Sequence, residues 1–475
     1  MTERSVRPAP VTVRRGATLA LASLGAFLTS LDVVVVATAL PALREDLGAS
    51  LADLEWNINA YNLAFAALML TCAAVGDRIG RRTTYVAGLV LFAASSAAAA
   101  LAGSTEVLIA ARVIQGVGAA MILPLTLSLI SDAFPKEKRG TAIGIWGAVT
   151  GLGVAAGPVL GGAIVEGLSW QWIFWINVPI ALLVAVGSVV LLTETHGPRD
   201  RLDPLGLVLV SLGLTGVVWA AVRAPDAGWH SAEVLTTLVA GLVLLGAFLA
   251  WERRTAHPML PIGYFARPGF TQANLVAFFQ FVSLLGSLFM MTQLFQIGLG
   301  YSPLQAGVRI LAWMAMPMLV APIAGALADR FGNRPFMALG LLLQGSGLVW
   351  VSAVVEPGVR YGVLVVPLII SGIGVAMCFP TVANAVVNAV PVDDSGVAAA
   401  VNTSLRELGG VLGIALAAAL FATNGSYATP ATFITGFATA ERTLGLVPLL
   451  GLVAAVLSPA PRTRPRANGA RGVSA

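Results

Sequence analysis

A single carboxyl group inside an apolar stretch is the first feature of this sequence that could do chemistry. Asp32 stands between Leu31 and four consecutive valines. An ionisable side chain in such surroundings is costly, and it normally faces a cavity or a partner of opposite charge. Because a carboxyl group can take up and release a proton, Asp32 is a candidate proton carrier.

A partner of opposite charge occurs in another apolar stretch. Arg112 and Gln115 are three residues apart, so they share one face of a helix. From the rise of an α-helix, we expect Asp32 to lie about 10 Å and Arg112 about 8 to 9 Å from the same ends of their helices. The two charges are therefore expected at the same depth, and they can form an ion pair if these faces of the two helices pack against each other.

Such a pair could couple proton movement to a change of shape. A neighbouring arginine favours the ionised form of a carboxyl group, whereas burial without a partner favours the neutral form. A rearrangement of the pair between Asp32 and Arg112, or a bound substrate, would then release a proton. The alternative is a permanent structural ion pair, because buried pairs also occur without a functional role.

A second charged pair lies near the C-terminus. Arg406 and Glu407 precede two glycines within an apolar stretch. Glu407 is either a second titrating group or the counter-ion of Arg406, and the sequence leaves both interpretations open. Other polar and large side chains in apolar stretches are candidates for lining a substrate cavity, or alternatively for packing between helices: Gln115, Asn274, Gln293, Gln296, Trp313 and Met314.

The composition places these residues in a membrane. Of the 475 residues, 57% are apolar and only 11% are charged, and the mean hydropathy is +0.86. Soluble domains carry about 25% charged residues, so lipid must surround most of this chain. Fourteen apolar runs are long enough to cross a bilayer, the last beginning near Thr443. We therefore predict an all-α integral membrane protein with 14 transmembrane helices.

The charges predict the orientation of these helices. If both termini are cytoplasmic, 21 basic residues fall in inner segments and 5, including Arg442, fall in outer segments. This asymmetry follows the positive-inside rule and predicts a multi-pass protein of the inner (plasma) membrane. The basic residues are scattered and do not form a patch for nucleic acid. The histidines and the two cysteines form no cluster, so no metal site is predicted.

A repeat divides the chain into two halves. The decapeptide AAVGDRIGRR at 73–82 is echoed by GALADRFGNR at 325–334. Two repeated helical halves with a substrate site between them is a plan typical of transporters. The predicted division is a cytoplasmic tail at 1–16, a six-helix bundle at 17–195, an inserted pair of helices at 196–255, a second six-helix bundle at 256–460 and a basic cytoplasmic tail at 461–475.

The fifth predicted helix has a face of small residues. Gly153, Gly157 and Gly161 recur at every fourth position, so another helix can approach this face closely. Pro158 removes one backbone hydrogen bond and bends the helix. Ladders of small residues occur in many membrane helices, and the informative feature is the complete pattern of Gly144, Gly153, Gly157, Pro158, Gly161 and Gly162.

Taken together, these motifs resemble the 14-span drug:proton antiporter family of the major facilitator superfamily. The resemblance runs essentially from end to end. It implies that the glycine face of the fifth helix seals the transport site against leak, and that the loop after the second helix acts as a conformational latch. The latch residues are Gly76, Asp77, Arg78, Gly80, Arg81 and Arg82, with Asp329 and Arg330 in the second copy. Within the latch, Asp77 could sit at a helix N-terminus or pair with arginines across the bundle interface.

The resemblance implies a secondary active exporter of amphipathic drugs or antibiotics in exchange for protons. A proton-coupled exporter of an endogenous metabolite, such as an amino acid, sugar or siderophore, is the alternative on the same fold. No nucleotide-binding loop and no catalytic motif is present, so we expect a proton gradient in place of a cofactor, and no enzyme activity. The expected partners are the bilayer, protons and a small amphipathic substrate, and the expected state is a monomer.

Overall fold

The computed structural model describes residues 14–197, 203–255, 258, 262–391 and 395–458, and within them the chain is helical with no β-strand. Thirteen helices are long and apolar enough to cross a membrane, and a bent pair, Leu51–Met69 with Thr71–Ile79, makes up to fourteen. The predicted fold class is therefore confirmed. The helices are α1 Arg15–Leu47, α2 Leu51–Ile79, α3 Arg81–Ala100, α4 Thr105–Ala133, α5 Lys136–Gly167, α6 Trp172–Trp175 with Asn177–Leu191, α7 Pro204–Ala227, α8 Ala232–Glu252, α9 Pro268–Gln293, α10 Pro303–Met314 with Met316–Phe331, α11 Asn333–Val354, α12 Tyr361–Asn388, α13 Ser395–Asn424 and α14 Pro430–Leu446 with Pro448–Leu457.

The short connection between α1 and α2 shows how the sequence stops and restarts a helix. Gly48 has φ of 64°, a left-handed conformation that favours glycine, and it ends α1. Ser50 then caps α2: its hydroxyl accepts a hydrogen bond from the Asp53 backbone N–H, and the Asp53 carboxylate accepts one from the Ser50 backbone N–H. This reciprocal capping satisfies backbone groups that would otherwise be unpaired.

One predicted boundary is wrong. The last helix, α14, begins at Pro430 and not near Thr443, so Glu441 and Arg442 lie within it. Its first half contains several threonines, which lower its apparent hydropathy. Their hydroxyl groups donate to carbonyl groups of the preceding turn, as Thr435 does to Ala431 at 3.1 Å, so the polar atoms are satisfied inside the helix.

The helices form two packed groups with a pair between them. Helices α1–α6 pack mainly on one another, and so do α9–α14. Helices α7 and α8 pack together through Gly216 and Gly241, where an added side chain would meet the backbone of the other helix. Helix α7 also contacts α2 and α13, and Leu63, Val218 and Val411 share one apolar cluster there. Helices α7 and α8 therefore cover the seam between α2 and α13.

The two groups are packed together towards one end and have separate cores at the other. We name the end where α1 begins and α2 ends the arginine-rich face, and the other end the arginine-poor face. In the arginine-poor half, one apolar cluster joins residues of both groups, for example Leu40 of α1 and Phe433 of α14. In the arginine-rich half the clusters are separate: one contains Tyr85 and the other contains Met337. The groups are therefore closed together at the arginine-poor face and form separate cores at the other.

Candidate functional site

The predicted contact between Asp32 and Arg112 is present in the structure. Arg112 Nη1 donates to Asp32 Oδ2 at 2.5 Å, and both side chains are completely buried. Asp32 Oδ1 accepts two further hydrogen bonds, from Gln115 Nε2 at 2.9 Å and from Asn177 Nδ2 at 2.8 Å. Gln115 also donates to the Ser96 hydroxyl at 2.8 Å. Four helices, α1, α3, α4 and α6, thus place polar groups around one carboxylate.

The guanidinium group of Arg112 is held by more than its counter-ion. Its Nε donates to the carbonyl group of Asn57 at 3.0 Å, and its Nη1 donates to Gln115 at 2.6 Å. Its Cζ lies 4.3 Å from the centre of the Tyr61 ring, within the range of a cation–π contact. Its Nη2 has no hydrogen-bond partner among the described residues. One donor of this buried charge is therefore unused.

The energetics make this pair sensitive to protonation. Removing one partner of a buried ion pair costs roughly 3–5 kcal/mol, because the other charge stays buried without compensation. A proton on Asp32 would have the same electrostatic effect on Arg112. The network is therefore expected to rearrange when Asp32 is protonated.

Sequence reasoning found the pair but missed part of its surroundings. Helix α1 continues to Leu47, beyond its predicted end, so Asp32 is deeper in its helix than expected. The two charges still meet, although Arg112 is close to its predicted depth in α4, so the outer ends of α1 and α4 are not level. Asn177 and Ser96 were not predicted; the signal available was an isolated amide or hydroxyl within an apolar run, completely buried in each case.

The glycine face of α5 lies directly on α1. A Cβ atom on Gly153 would be 2.8 Å from the Phe27 carbonyl oxygen, and one on Gly157 would be 2.9 Å from Val34 Cβ. A Cβ atom on Gly161 would meet Thr38 and Val35. This stretch of α1 includes Asp32, so the glycine face and the carboxylate share one helix.

Two other glycines of the α5 motif behave differently. Gly162 packs against α10 of the other group, where a Cβ atom would be 2.8 Å from Leu304 Cα. Pro158 also contacts α10, because a Cβ atom on Gly307 would meet the Pro158 carbonyl group. Gly144 has open space around the position of its missing Cβ. Helix α5 therefore contacts α1 with one face and α10 with another, and Gly144 takes no part in either contact.

The predicted latch is tied to its own group of helices. Asp77 Oδ1 accepts from Arg81 Nε at 2.8 Å, and Arg81 Nη1 donates to Asp132 at the end of α4 at 2.6 Å. The hypothesis that Asp77 pairs with arginines across the bundle interface is thus not met in this state, because the two groups have separate cores at this face. Arg78 and Arg330 are exposed, and the side chain of Asp329 lies outside the described residues.

The same loop binds the segment after α6. Gly80, with φ of 131°, ends α2, and the Glu194 carboxylate accepts hydrogen bonds from the backbone N–H groups of Arg82 at 2.9 Å and Thr83 at 3.1 Å. Burial opposes the negative charge of Glu194, but the Thr83 hydroxyl and these N–H groups outweigh that effect and lower the pKa of Glu194 below its ordinary value.

A lowered pKa makes the contribution of Glu194 dependent on pH. A carboxyl group of this kind stabilises the fold above its unfolded-state pKa, and the contribution is lost as the pH falls through its folded-state pKa. We expect Glu194→Gln to lower the unfolding temperature at pH 7, and the difference from the wild type to shrink once the pH falls below about 4 and to be lost only below the lowered folded-state pKa. Thermal unfolding of the detergent-purified protein measures both, and an equal difference at the two pH values would contradict the assignment.

The second charged pair lies where the two groups face each other. Arg406 is half-buried, and its Cζ lies 4.2 Å from the Phe281 ring and 5.0 Å from the Phe379 ring. Glu407 is also half-buried and lies within electrostatic range of both Arg406 and Tyr61 of α2. The structure thus gives Arg406 two aromatic neighbours, which the sequence did not predict.

The predicted cavity residues are spread over four places. Gln115 belongs to the Asp32 network. Asn274 accepts a hydrogen bond from Asn402 at 3.0 Å between α9 and α13. Trp313 and Met314 are buried in the apolar cluster that joins the two groups. Gln293 and Gln296 lie at the closed, arginine-poor end.

Polar contacts close that end. Gln296 Nε2 donates to the Thr38 carbonyl group at 3.0 Å, which joins α9 to α1. The Tyr427 hydroxyl donates to Gln293 Oε1 at 2.6 Å, and Arg44 Cζ lies 3.5 Å above the Tyr427 ring. Tyr427, in the segment before α14, therefore contacts both α1 and α9. Sequence reasoning did not identify it.

Comparison with known proteins agrees with this geometry. The family model of the Major Facilitator Superfamily matches residues 22–414 and 273–474. The chain is 34% identical over 407 residues to the tetracenomycin C resistance and export protein of Streptomyces glaucescens, covering 85% of this chain and 76% of the relative. It is 34% identical over 405 residues to the multidrug efflux pump LfrA of Mycolicibacterium smegmatis, covering 85% and 80%.

A solved structure supports the fold independently. The crystal structure of a D-xylose-proton symporter superposes with a TM-score of 0.67 at 17% identity, covering 93% of this chain and 97% of that chain. At this identity the likeness shows the fold alone. With the family model, the export-protein relatives and the paired helical groups in agreement, the chain belongs to the Major Facilitator Superfamily, in the branch that contains these drug-efflux proteins.

Proposed function

We propose that this protein exports amphipathic, drug-like compounds from the cell in exchange for protons, by alternating access. The relatives that support export are a tetracenomycin C resistance and export protein and a multidrug efflux pump. The observation that carries proton coupling is the completely buried carboxylate of Asp32, held by Arg112, Gln115 and Asn177. The groups that contact it are all hydrogen-bond donors.

Protonation of Asp32 is the step that drives the change of shape. A proton removes the attraction for Arg112 and leaves that charge without its counter-ion, so α1 and α4 must adjust. The glycine face of α5 packs on the same stretch of α1, and α5 in turn contacts α10 through Gly162. A shift of α1 is therefore passed to the second group through α5. Because tightly packed interfaces switch between discrete arrangements, the two groups rock as units.

The charge distribution supports one orientation of the closed end in the membrane. With the arginine-rich face in the cytoplasm, as the positive-inside rule requires, the state described here is closed to the outside. Substrate would enter from the cytoplasm or the inner leaflet. Phe281 and Phe379, together with Arg406, offer aromatic surface beside a charge, which suits a substrate of mixed polar and apolar character.

Everted membrane vesicles that contain the protein test this function. A panel of antibiotics and dyes is first screened in a host that lacks its own efflux pumps, and the compounds to which the chain gives resistance are then added to vesicles with an acidic interior. We expect each such compound to release protons from the vesicles, as reported by a pH-sensitive dye. Vesicles without the protein are the control. Extrusion that continues after the pH gradient has been dissipated would contradict proton coupling.

The closed end of the molecule provides a test of alternating access. We expect Arg44→Ala to weaken the closure by the strength of one cation–π contact, about 0.5–2 kcal/mol, and so to shift the population towards the opposite state by about two- to thirty-fold. The readout is the maleimide labelling rate of a cysteine at half-buried Ala42, in a chain without Cys72 and Cys378. A Tyr427→Phe variant keeps the ring and should change the rate less. Equal labelling in all variants would contradict the assignment of this end as a gate.

A further inference from the structure

An acidic residue that the mechanism above does not use lies deep in the second group of helices. Glu441 is on the first segment of α14, which packs against α9, α11 and α13, and its side chain is completely buried. Neither carboxyl oxygen has a hydrogen-bond partner among the described residues. The hydroxyl group of Ser287 on α9 lies beside the carboxyl group, but without hydrogen-bond geometry.

No charge within the described parts of the chain acts on Glu441. Helix α9 has no ionisable side chain, and α11 has only Arg334, at its arginine-rich end. On α13, Arg406 stacks on phenylalanine rings, and Glu407 lies within electrostatic range of Arg406 and of Tyr61 on α2. The neighbour of Glu441 on its own helix, Arg442, is exposed. An ionised carboxylate without a counter-ion or donors is not tolerated in such surroundings, so the group takes up a proton and becomes neutral.

The position of Glu441 corresponds to that of Asp32. In the first group, a carboxylate on the first helix, α1, meets an amide on the sixth helix, α6, where Asn177 donates to Asp32. In the second group, a carboxyl group on the sixth helix, α14, meets a hydroxyl group on the first helix, α9. The contact between the first and the sixth helix therefore holds an acid in both groups. The acid is on the first helix in one group and on the sixth helix in the other.

We propose that Glu441 is a second proton-binding site of this transporter, filled in the state described here and emptied in the opposite state. Asp32 accepts hydrogen bonds from an arginine and two amide donors, whereas Glu441 has none of these. In the emptying step the carboxyl O–H of Glu441 breaks, its proton passes to water, and the carboxylate later takes a proton back.

The unused polar groups around Glu441 explain why its occupancy changes with the state. The hydroxyl group of Ser287 beside it is buried without a partner within the described ranges, like the carboxyl group itself. Buried unpaired polar groups destabilise the arrangement that contains them. A second conformation, in which water enters or these groups find partners, avoids this cost and is favoured by the same free energy. That conformation also stabilises the ionised form of Glu441. The exchange of the Glu441 proton during transport rests on the proposed antiport. The protonation of Glu441 in the state described here does not.

Infrared spectroscopy of the purified protein in lipid tests the occupancy. At neutral pH, we expect the wild type to show the carbonyl stretching band of a protonated, buried carboxyl group, and Glu441→Gln to lose it. The band should persist in Asp32→Asn, which leaves Glu441 unchanged. Identical wild-type and Glu441→Gln spectra in the carboxyl region would overturn the proposal. Size-exclusion profiles establish that the variants are folded, and Ser287→Ala, which keeps the acid, should retain the band if Glu441→Gln does not fold.

Proton counting tests the exchange. The number of protons released per substrate molecule is measured in vesicles for the wild type, Glu441→Gln and Glu441→Asp. We expect Glu441→Gln to release fewer protons per substrate than the wild type, and Glu441→Asp to stay close to the wild-type count. A wild-type count in Glu441→Gln would overturn the exchange. If the wild type itself moves no protons, the proposed antiport fails, and the infrared result still decides the occupancy.

Discussion

Asp32→Asn is expected to abolish substrate-driven proton movement while the helices still insert into the membrane. Asparagine has nearly the same shape as aspartate, but it carries no charge and does not titrate. It leaves the buried guanidinium group of Arg112 without a counter-ion, which costs roughly 3–5 kcal/mol. Insertion depends on the apolar spans and is not affected. The measurement is proton release from everted vesicles on addition of a transported compound, and wild-type release in this variant would contradict the role of Asp32.

A double variant separates a coupling role from a purely structural one. Asp32→Asn combined with Arg112→Gln removes both charges, and a neutral pair in place of a buried ion pair is often as stable as the original. We expect the double variant to regain the unfolding temperature that the single variant loses, but not its proton movement. If the double variant exchanged protons for substrate at the wild-type rate, the pair would be a structural feature only.

Gly157→Leu is expected to lower the transport rate more than tenfold. A Cβ atom alone at this position would be 2.9 Å from Val34 Cβ, closer than real contacts of this kind, and leucine adds three further carbon atoms. Overpacking of this kind commonly costs about 1–3 kcal/mol and displaces the backbone. The displacement separates α5 from α1 beside Asp32 and disturbs the contact of α5 with α10.

The same helix offers a matched control. Gly144 belongs to the same sequence pattern, but the space around it is open, so Gly144→Leu should transport at close to the wild-type rate. Both variants are compared by resistance of whole cells and by substrate efflux, after membrane levels have been matched. If the two substitutions had equal effects, close packing of α5 on α1 would not be the reason for the pattern of glycines.

The sequence was sufficient for the fold and for the centre of the candidate site. Long apolar runs are a strong signal because lipid requires every backbone group to be satisfied within the segment. The pairing of Asp32 with Arg112 could be predicted because a buried charge needs a partner and few charges are available inside the spans. In both cases an unpaired polar or charged group in lipid is so unfavourable that few arrangements of the helices are possible.

The other features could not be predicted from the sequence. They depend either on hydrogen bonds within one turn of a helix or on contacts between residues far apart in the chain. The beginning of α14 was misplaced since its threonines satisfy their hydroxyl groups within the helix, which a hydropathy average does not register. Glu441 therefore precedes the predicted start of this helix. The amide of Asn177 is 145 residues from Asp32, and only the packing of α6 on α1 brings the two together. The pairing of Asp77 depends on the conformational state, on which the sequence carries no information.

The position of α7 and α8 has a consequence for how a compound dissolved in the membrane meets this protein. These helices screen the flank at α2 and α13, so lipid borders the junction of the two halves directly on the other flank, at α5 and α10. There Leu160 and Val308 are 37% and 49% exposed, beside the contact between Pro158 and Gly307. The transporter is thus asymmetric towards the lipid around it, and a hydrophobic molecule diffusing in the membrane meets the junction of the two halves directly on one flank only.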